Sequence, residues 1–318
     1  MLRQLGTTDL KVFPFCLGCN VFGWTVDQDS AFEILDAFTD AGGNFFDTSD
    51  VYWKFKEGNR GGESETIIGQ WMRRRGNRDR MVVSTKIGAF DGLVGGLTPA
   101  KIQAHAEDSM RRLGVDCIDL LYAHTDDPAT PLEDTLGAFD DLVRSGKVRY
   151  IAASRYEARR LQAALELAAD YNWAPYCATQ NLYSLVERGY ETAQRPLVEA
   201  NQLGMMPYYA LGAGFLTGKY RPGVAVDSVR AKGPRPSGAE SYLDERGIRL
   251  LDVLDDLAAT HGTTVAAVSL AWLTAQPTVT APIASARSVD QLAGLLPSTH
   301  IRLSSDDLRR LDEASDER

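Results

Sequence analysis

From Phe15 nearly to the C-terminus, short β-rich runs alternate with amphipathic stretches, and this alternation narrows the possible folds more than any other feature of the chain. The runs are FCLG, NFFDTS, MVVSTK, IDLLYAH, VRYIAAS, YCATQN, MMPYYAL and VTAPIAS, each of strand length and rich in Val, Ile, Tyr and Phe. In SAFEILDAFTDAGG, apolar residues recur every three or four positions and Gly42 can close a helix. TPAKIQAHAEDSMRRLG opens with Thr98 as N-cap and Pro99 at the first helical position. TPLEDTLGAFDDLVRSGK repeats that opening and ends on Gly146. A helix pair, YLDERGIRLLDVLDDLAATHG and TTVAAVSLAWLTAQ, precedes the last strand.

Eight strands joined by helical crossovers imply a parallel sheet, and eight is the number that closes into a (β/α)8 barrel. The predicted fold is therefore α/β, a TIM barrel preceded by a β-hairpin around Thr7 to Asp9. A doubly wound open sheet is the alternative, but its early Gly-rich turn, GxGxxG, occurs nowhere in the sequence. No linker or low-complexity tract divides the chain, so residues 1–318 are expected to form one barrel domain. A long loop rich in Gly and Pro, Arg221 to Ser241, is expected to be functional or mobile.

Composition excludes several classes of function. With 44% hydrophobic and 24% charged residues the chain can bury a sizeable core, and a net charge of −9 gives no general attraction to nucleic acid. The basic cluster MRRRGNRDR reads as a solvated helix end. The N-terminus lacks the pattern of a signal peptide and no run is long enough to span a membrane, so a cytoplasmic location is expected. Cys16 and Cys19 form a CxxC, but without a second pair or a nearby histidine they read as buried strand cysteines.

Barrel sites form where strands end, so the polar residues at those ends matter most. The second strand ends at Asp47 with Tyr52 in its loop, the third at Lys86 and the fourth at His124. Each has a bland reading: a helix-capping aspartate, a solvated lysine, a locally bonded histidine. Together they deliver a carboxylate, a phenol, an ammonium and an imidazole to one rim. An ammonium close to a phenol favours phenolate, so Lys86 is expected to lower the pKa of Tyr52, with Asp47 as counter-ion to Lys86. His124 can then polarise a carbonyl oxygen while Tyr52 acts as general acid. Nothing in the set is a strong nucleophile and no metal-ligand spacing such as HExxH is present, which leaves carbonyl reduction as the fitting chemistry.

In the settings NFFDTSDVY, VVSTKIG and DLLYAHTDD, these four residues resemble the catalytic tetrad of the aldo-keto reductases, nicotinamide-dependent (β/α)8 barrels. The resemblance extends through RQLGTTDLKVFPFCLGCNVFG, GGESETIIGQWM, LVRSGKVRYIAAS, LGAGFLTGKY and PIASARSVDQL. It implies that Ser154 and Gln180 bond a nicotinamide carboxamide and that Tyr208 stacks on the ring. Leu211, Gly212, Gly214, Leu216, Gly218 and Lys219 would line the pyrophosphate, and Ser285, Arg287 and Gln291 the adenosine. Arg287 would pair with a 2'-phosphate, favouring NADPH over NADH. The chain departs from the family at Arg155, where many members have asparagine, and in lacking an asparagine shortly after Gln291. Trp24, Trp53, Phe55 and Phe90 are expected to form an aromatic substrate wall, with a small or medium aldehyde, ketone or keto-sugar as substrate. A regulatory subunit similar to the potassium-channel β subunits is the alternative, made less favourable by the lack of an N-terminal extension before the barrel. A lyase or isomerase without nicotinamide would leave the match from Ser285 to Gln291 unexplained. The closing stretch DLRRLDEASDER reads as a short charged tail after the last helix.

Overall fold

A computed structural model describes residues 1–54, 56–89, 96–226 and 238–316. The hairpin expected at the N-terminus is present, with β1 (Arg3–Gln4) antiparallel to β2 (Lys11–Val12). Its turn is fixed by Thr8, whose hydroxyl donates to the Leu5 carbonyl at 2.7 Å. Leu5, Leu10 and Val12 pack in one cluster with Cys16, Phe45, Val82 and Cys177, which lie at the starts of four barrel strands. The hairpin thus plugs the N-terminal end of the barrel and leaves the opposite end open.

The barrel strands are β3 (Cys16–Gly18), β4 (Phe45–Asp47), β5 (Val82–Ile87), β6 (Ile118–Ala123), β7 (Val148–Ser154), β8 (Tyr176–Gln180), β9 (Gly204–Met205) and β10 (Ile283–Ala284). All neighbours are parallel, in the order β10-β3-β4-β5-β6-β7-β8-β9. Closure comes from the segment leading into β10. Met205 pairs in parallel with Val279, Thr280 N donates to the Met205 carbonyl at 2.8 Å, and Ile283 N donates to the Pro207 carbonyl at 2.9 Å. The (β/α)8 barrel read from the sequence is the observed fold. The run MMPYYAL forms a shorter strand than expected, since Pro207 has no N–H to extend a ladder.

Helices α1 (Gln28–Asp40), α2 (Glu63–Arg75), α3 (Pro99–Leu113), α4 (Leu132–Arg144) and α5 (Ala158–Asp170) follow successive strands. The first is capped by Asp27, which accepts from Ser30 N, and buries Ala31, Ile34, Leu35 and Phe38. Phe38 meets Phe13, Phe15 and Phe46 edge to face at 5.5–5.8 Å, and Phe46 in turn meets Trp71 of α2. Truncating Phe38 to alanine would open this cluster at a cost of about 3–5 kcal/mol. In α4 the cap shifts by one residue from the expected opening: Pro131 is the N-cap, and the Thr130 hydroxyl turns to Asp127 at 2.6 Å.

Short α6 (Tyr190–Ala193) and α7 (Arg195–Ala200) lead into β9, and α8 (Glu245–Thr260), α9 (Val265–Ala275), α10 (Val289–Leu295) and α11 (Ser305–Ser315) complete the chain. The expected charged tail is in fact α11. Ser304 and Asp307 form a capping box, and Asp312 accepts from the indole of Trp272 at 3.0 Å, docking the helix on α9. The MRRRGNRDR cluster is only partly solvated, because Arg78 reaches the carbonyls of Met81 and Cys117 and the carboxylate of Asp119. Cys16 and Cys19 are free, fully buried thiols whose pKa values burial raises, in keeping with a packing role. Among the described residues, no helix is long and apolar enough to cross a membrane.

Candidate active site

The open end of the barrel collects the polar side chains that the strand ends deliver. Asp47 ends β4 in register with Ser84 of β5, and Lys86, two residues further along β5, points to the same side. Lys86 Nζ donates to Asp47 Oδ2 at 2.6 Å, to the Thr48 carbonyl at 2.8 Å and to the Tyr52 hydroxyl oxygen at 2.9 Å. All three ammonium protons are therefore used. The other Asp47 oxygen accepts from Ser84 Oγ and from Gln180 Nε2, each at 3.0 Å. A buried ion pair persists only when its remaining valences are satisfied, and these bonds satisfy them.

Tyr52 lies 3.4 Å from Asp47 Oδ2, a long contact that leaves its O–H available to a better acceptor. Burial is the largest influence on the phenol and raises its pKa to about 12, against the opposing pull of Lys86. The expected lowering by Lys86 is thus present but outweighed, and Tyr52 stays a phenol at neutral pH. Burial also acts against the Lys86 ammonium, yet Asp47 and Tyr52 prevail and its pKa rises to about 12. His124 follows β6, its amide held by the Ile87 carbonyl at 2.8 Å, and its ring meets Tyr52 edge-on with centroids 6.1 Å apart. Burial, then Lys86 and Arg155, push its pKa well below the usual histidine value. The imidazole is neutral.

Further around the mouth, Ser154 ends β7 opposite Gln180 of β8. The Ser154 hydroxyl is buried and has no hydrogen-bond partner among the described residues. A buried orphan hydroxyl costs free energy unless something outside the chain bonds it, and a carboxamide fits that need. Gln180 commits its amide nitrogen to Asp47, which ties the proposed nicotinamide end directly to the buried ion pair. Arg155 adopts a left-handed backbone, φ 57°, and its guanidinium lies 5.2 Å from the centre of the Tyr208 ring. Leu211 leads into a tight turn, Gly212–Thr217, in which Gly212, Ala213 and Gly214 all have positive φ, and Gly218 closes it at φ 79°. Leu216 is buried within it, and Lys219 Nζ lies 5.3 Å over the ring of Tyr220. A Cβ at Gly212 would meet Val186 at 2.7 Å, so the turn needs glycine there.

The loop after β10 and the start of α10 carry the remaining residues expected to hold a cofactor. Ser285 Oγ donates to Asn20 Oδ1 at 2.6 Å, and Gln291 accepts from the Arg287 amide at 2.9 Å, fixing the backbone that presents Arg287. Trp24 and Trp53 stack with ring centroids 3.3 Å apart and planes 15° from parallel. Lys56 and Asn59 bond carbonyls of both loops, which holds this aromatic pair together. Phe55, Phe90 and residues 227–237 of the long loop lie outside the described residues.

Sequence reasoning missed Ser84, Asn20 and Ser49, whose hydroxyl lies 3.1 Å from Nδ1 of His124. The period of two along β5 marks Ser84 as a same-face neighbour of Lys86, so that residue was discoverable; Ser49 and Asn20 sit in loops with no such signal. It also missed a buried brace, in which Glu65 of α2 accepts from Thr85 of β5 at 2.5 Å and from Arg112 of α3 at 2.6 Å.

The sequence pattern of the Aldo/keto reductase family matches residues 14–316. This chain belongs to the aldo/keto reductase family. Curated relatives agree along nearly the full length. The uncharacterized oxidoreductase YrpG of Bacillus subtilis is 34% identical over 97% of this chain and 94% of its own. The aldo-keto reductase str7 of Strobilurus tenacellus is 32% identical, covering 93% of this chain and 84% of its own. Norsolorinic acid reductase B of Aspergillus parasiticus is 30% identical, covering 98% and 83% respectively. This aldo/keto reductase is accordingly an NAD(P)H-dependent oxidoreductase.

Proposed function

We propose that the enzyme reduces an aldehyde or ketone to the alcohol with NADPH, Tyr52 giving the proton. The observation that carries this reading is the Lys86 ammonium bonded at once to Asp47 and to the Tyr52 oxygen in a buried setting. Proton donation from Tyr52 leaves a phenolate, and Lys86 is in hydrogen-bond contact with the atom where that charge forms. Asp47 keeps Lys86 charged before and after the transfer. The neutral His124 ring can donate one N–H to the substrate oxygen without adding a competing acid. NADPH, when bound, supplies the hydride. Ser154 and Gln180 would hold its carboxamide, Tyr208 its ring, the turn from Leu211 to Lys219 its pyrophosphate, and Ser285, Arg287 and Gln291 its adenosine end.

For the substrate we favour an aryl carbonyl over an aliphatic aldehyde or a keto-sugar. The stacked Trp24 and Trp53 offer a flat apolar surface, and an aryl-alcohol dehydrogenase of Pestalotiopsis microspora is among the relatives, at 28% identity over 98% of this chain. We also read residues 1–318 as one functional unit, since Arg3 bonds the carbonyls of Thr274 and Val279 near the other end of the chain. The test is NADPH consumption against benzaldehydes, aryl ketones, aliphatic aldehydes and keto-sugars. Turnover confined to the aliphatic or sugar members would overturn the aryl assignment, and no Tyr52-dependent turnover with any member would overturn the reductase itself.

A further inference from the structure

A neutral imidazole carries one proton, so His124 can donate toward a substrate oxygen only from the nitrogen not engaged elsewhere. Nδ1 is engaged: it lies 3.1 Å from Ser49 Oγ. If Ser49 donates to Nδ1, the ring proton sits on Nε2 and is available to the substrate. If the Ser49 proton goes elsewhere, Nδ1–H must donate to Ser49, and Nε2 presents a lone pair that repels a carbonyl oxygen.

Ser49 has elsewhere to send it. Its hydroxyl is also 3.3 Å from the Lys86 carbonyl and 3.3 Å from Asp50 Oδ1. Three acceptors thus compete for one buried proton. Asp50 is itself only 6% exposed, and its other oxygen, Oδ2, is 2.8 Å from Nδ1 of His105 on α3. The hydrogen bond that His105 donates to Asp50 holds the His105 pKa above its usual value, with Asp108 acting in the same sense and burial and Arg112 against it. The second carboxylate near Asp50 is Glu65, already bonded by Thr85 and Arg112. A charged His105 draws electron density to Oδ2 and makes Oδ1 a weaker competitor for the Ser49 proton.

We propose that Ser49 is a positioning residue that fixes the His124 tautomer with its proton on Nε2, and that the Asp50–His105 pair keeps the Ser49 hydroxyl turned toward His124. The chain His124–Ser49–Asp50–His105 leads from the buried site to a histidine whose side chain is 26% exposed, so the end nearer solvent influences how the buried ring is presented. The proposal rests on the reading of His124 as the group that polarises the substrate carbonyl.

The test is the long-range ¹H–¹⁵N spectrum of full-length protein labelled at its histidine rings, which number only four. His124→Asn identifies the signals of His124. The wild type is expected to show the Nε2–H tautomer and Ser49→Ala a loss of that preference, with Ser49→Thr restoring it. His105→Gln, which removes the imidazole partner of Asp50, is expected to shift the balance part of the way. In parallel, kcat for a neutral aryl aldehyde should fall on the order of 100-fold in Ser49→Ala while the Kd for NADPH holds, and recover in Ser49→Thr. An Nδ1–H tautomer in the wild type, or an unchanged tautomer in Ser49→Ala, overturns the proposal. The spectrum needs no turnover, so a wild type that reduces no carbonyl would sink the reductase reading and leave the tautomer assignment to be judged separately. Should Ser49→Ala fail to fold, the wild-type, Ser49→Thr and His105→Gln spectra still decide it.

Discussion

Lys86 Nζ lies 2.6 Å from Asp47 Oδ2, with the two side chains only 1% and 3% exposed. Removing one partner of such a pair leaves the other charge buried and uncompensated, at a cost of about 3–5 kcal/mol. Lys86→Met should therefore lower unfolding free energy by that order in denaturant titrations. The double variant Asp47→Asn/Lys86→Met should recover much of the loss, because it removes both charges. A double variant as unstable as the single one would mean that Lys86 matters through packing alone.

The same cluster contributes to the alkaline limit, alongside other buried tyrosines such as Tyr122 and Tyr176. Lys86 and Tyr52 both hold their protons to about pH 12 in the folded protein, against 10.5 and 10.0 for the free groups. The unfolded chain loses those protons first, so the stability that they contribute is complete below about pH 10 and is lost as the pH rises toward about 12. Denaturant titrations across that window should show a falling free energy, with a shallower fall in Tyr52→Phe. Equal slopes in both proteins would remove Tyr52 from this account.

His124 acts at the opposite end. Its folded pKa is depressed, first by burial and then by Lys86 and Arg155, so below about pH 6.5 the unfolded chain takes up a proton that the folded protein refuses. This group removes up to about 1.4 kcal/mol of stability for each pH unit of acidification in that range. His105, with its raised pKa, works in the opposite sense: its contribution is complete below the unfolded value and is lost as pH rises through the folded one. The comparison must therefore be made between the wild type and His124→Gln. The variant should lose less stability on going from neutral to mildly acid solution.

Much of this arrangement was legible in the sequence, for reasons that differ by residue. Asp47, Lys86 and His124 stood out because barrel geometry sends strand-end side chains to one rim, and the structure brings them together as expected. The protonation state of Tyr52 was not legible. It depends on whether burial or Lys86 dominates, and only the packed structure decides a balance between desolvation and a charge 2.9 Å away. The α11 segment reads as a tail in sequence because its charges hide two features of the helix, the Ser304–Asp307 cap and the bond between Asp312 and Trp272. Gln180, expected from the sequence to bind the cofactor, donates to Asp47, a contact 133 residues apart in sequence that no local pattern encodes.

Arg287 supports a prediction on cofactor choice. Its backbone is fixed through Gln291, and it is the side chain proposed to meet a 2'-phosphate. A charge-assisted bond of this kind contributes about 1.5–3 kcal/mol. Arg287→Ala should weaken NADPH binding by roughly 10- to 100-fold and leave NADH nearly unchanged in fluorescence titrations. Equal losses for the two cofactors would remove the phosphate assignment.

The most direct test of the proposed chemistry is the rate of NADPH oxidation with an aryl aldehyde in wild type and Tyr52→Phe, with NADPH affinity measured on both proteins. If Tyr52 is the proton donor, kcat falls by about 100- to 10,000-fold in the variant while the Kd for NADPH stays within a few-fold. A variant that retains most of the wild-type kcat would contradict that role, whatever its affinity for the cofactor.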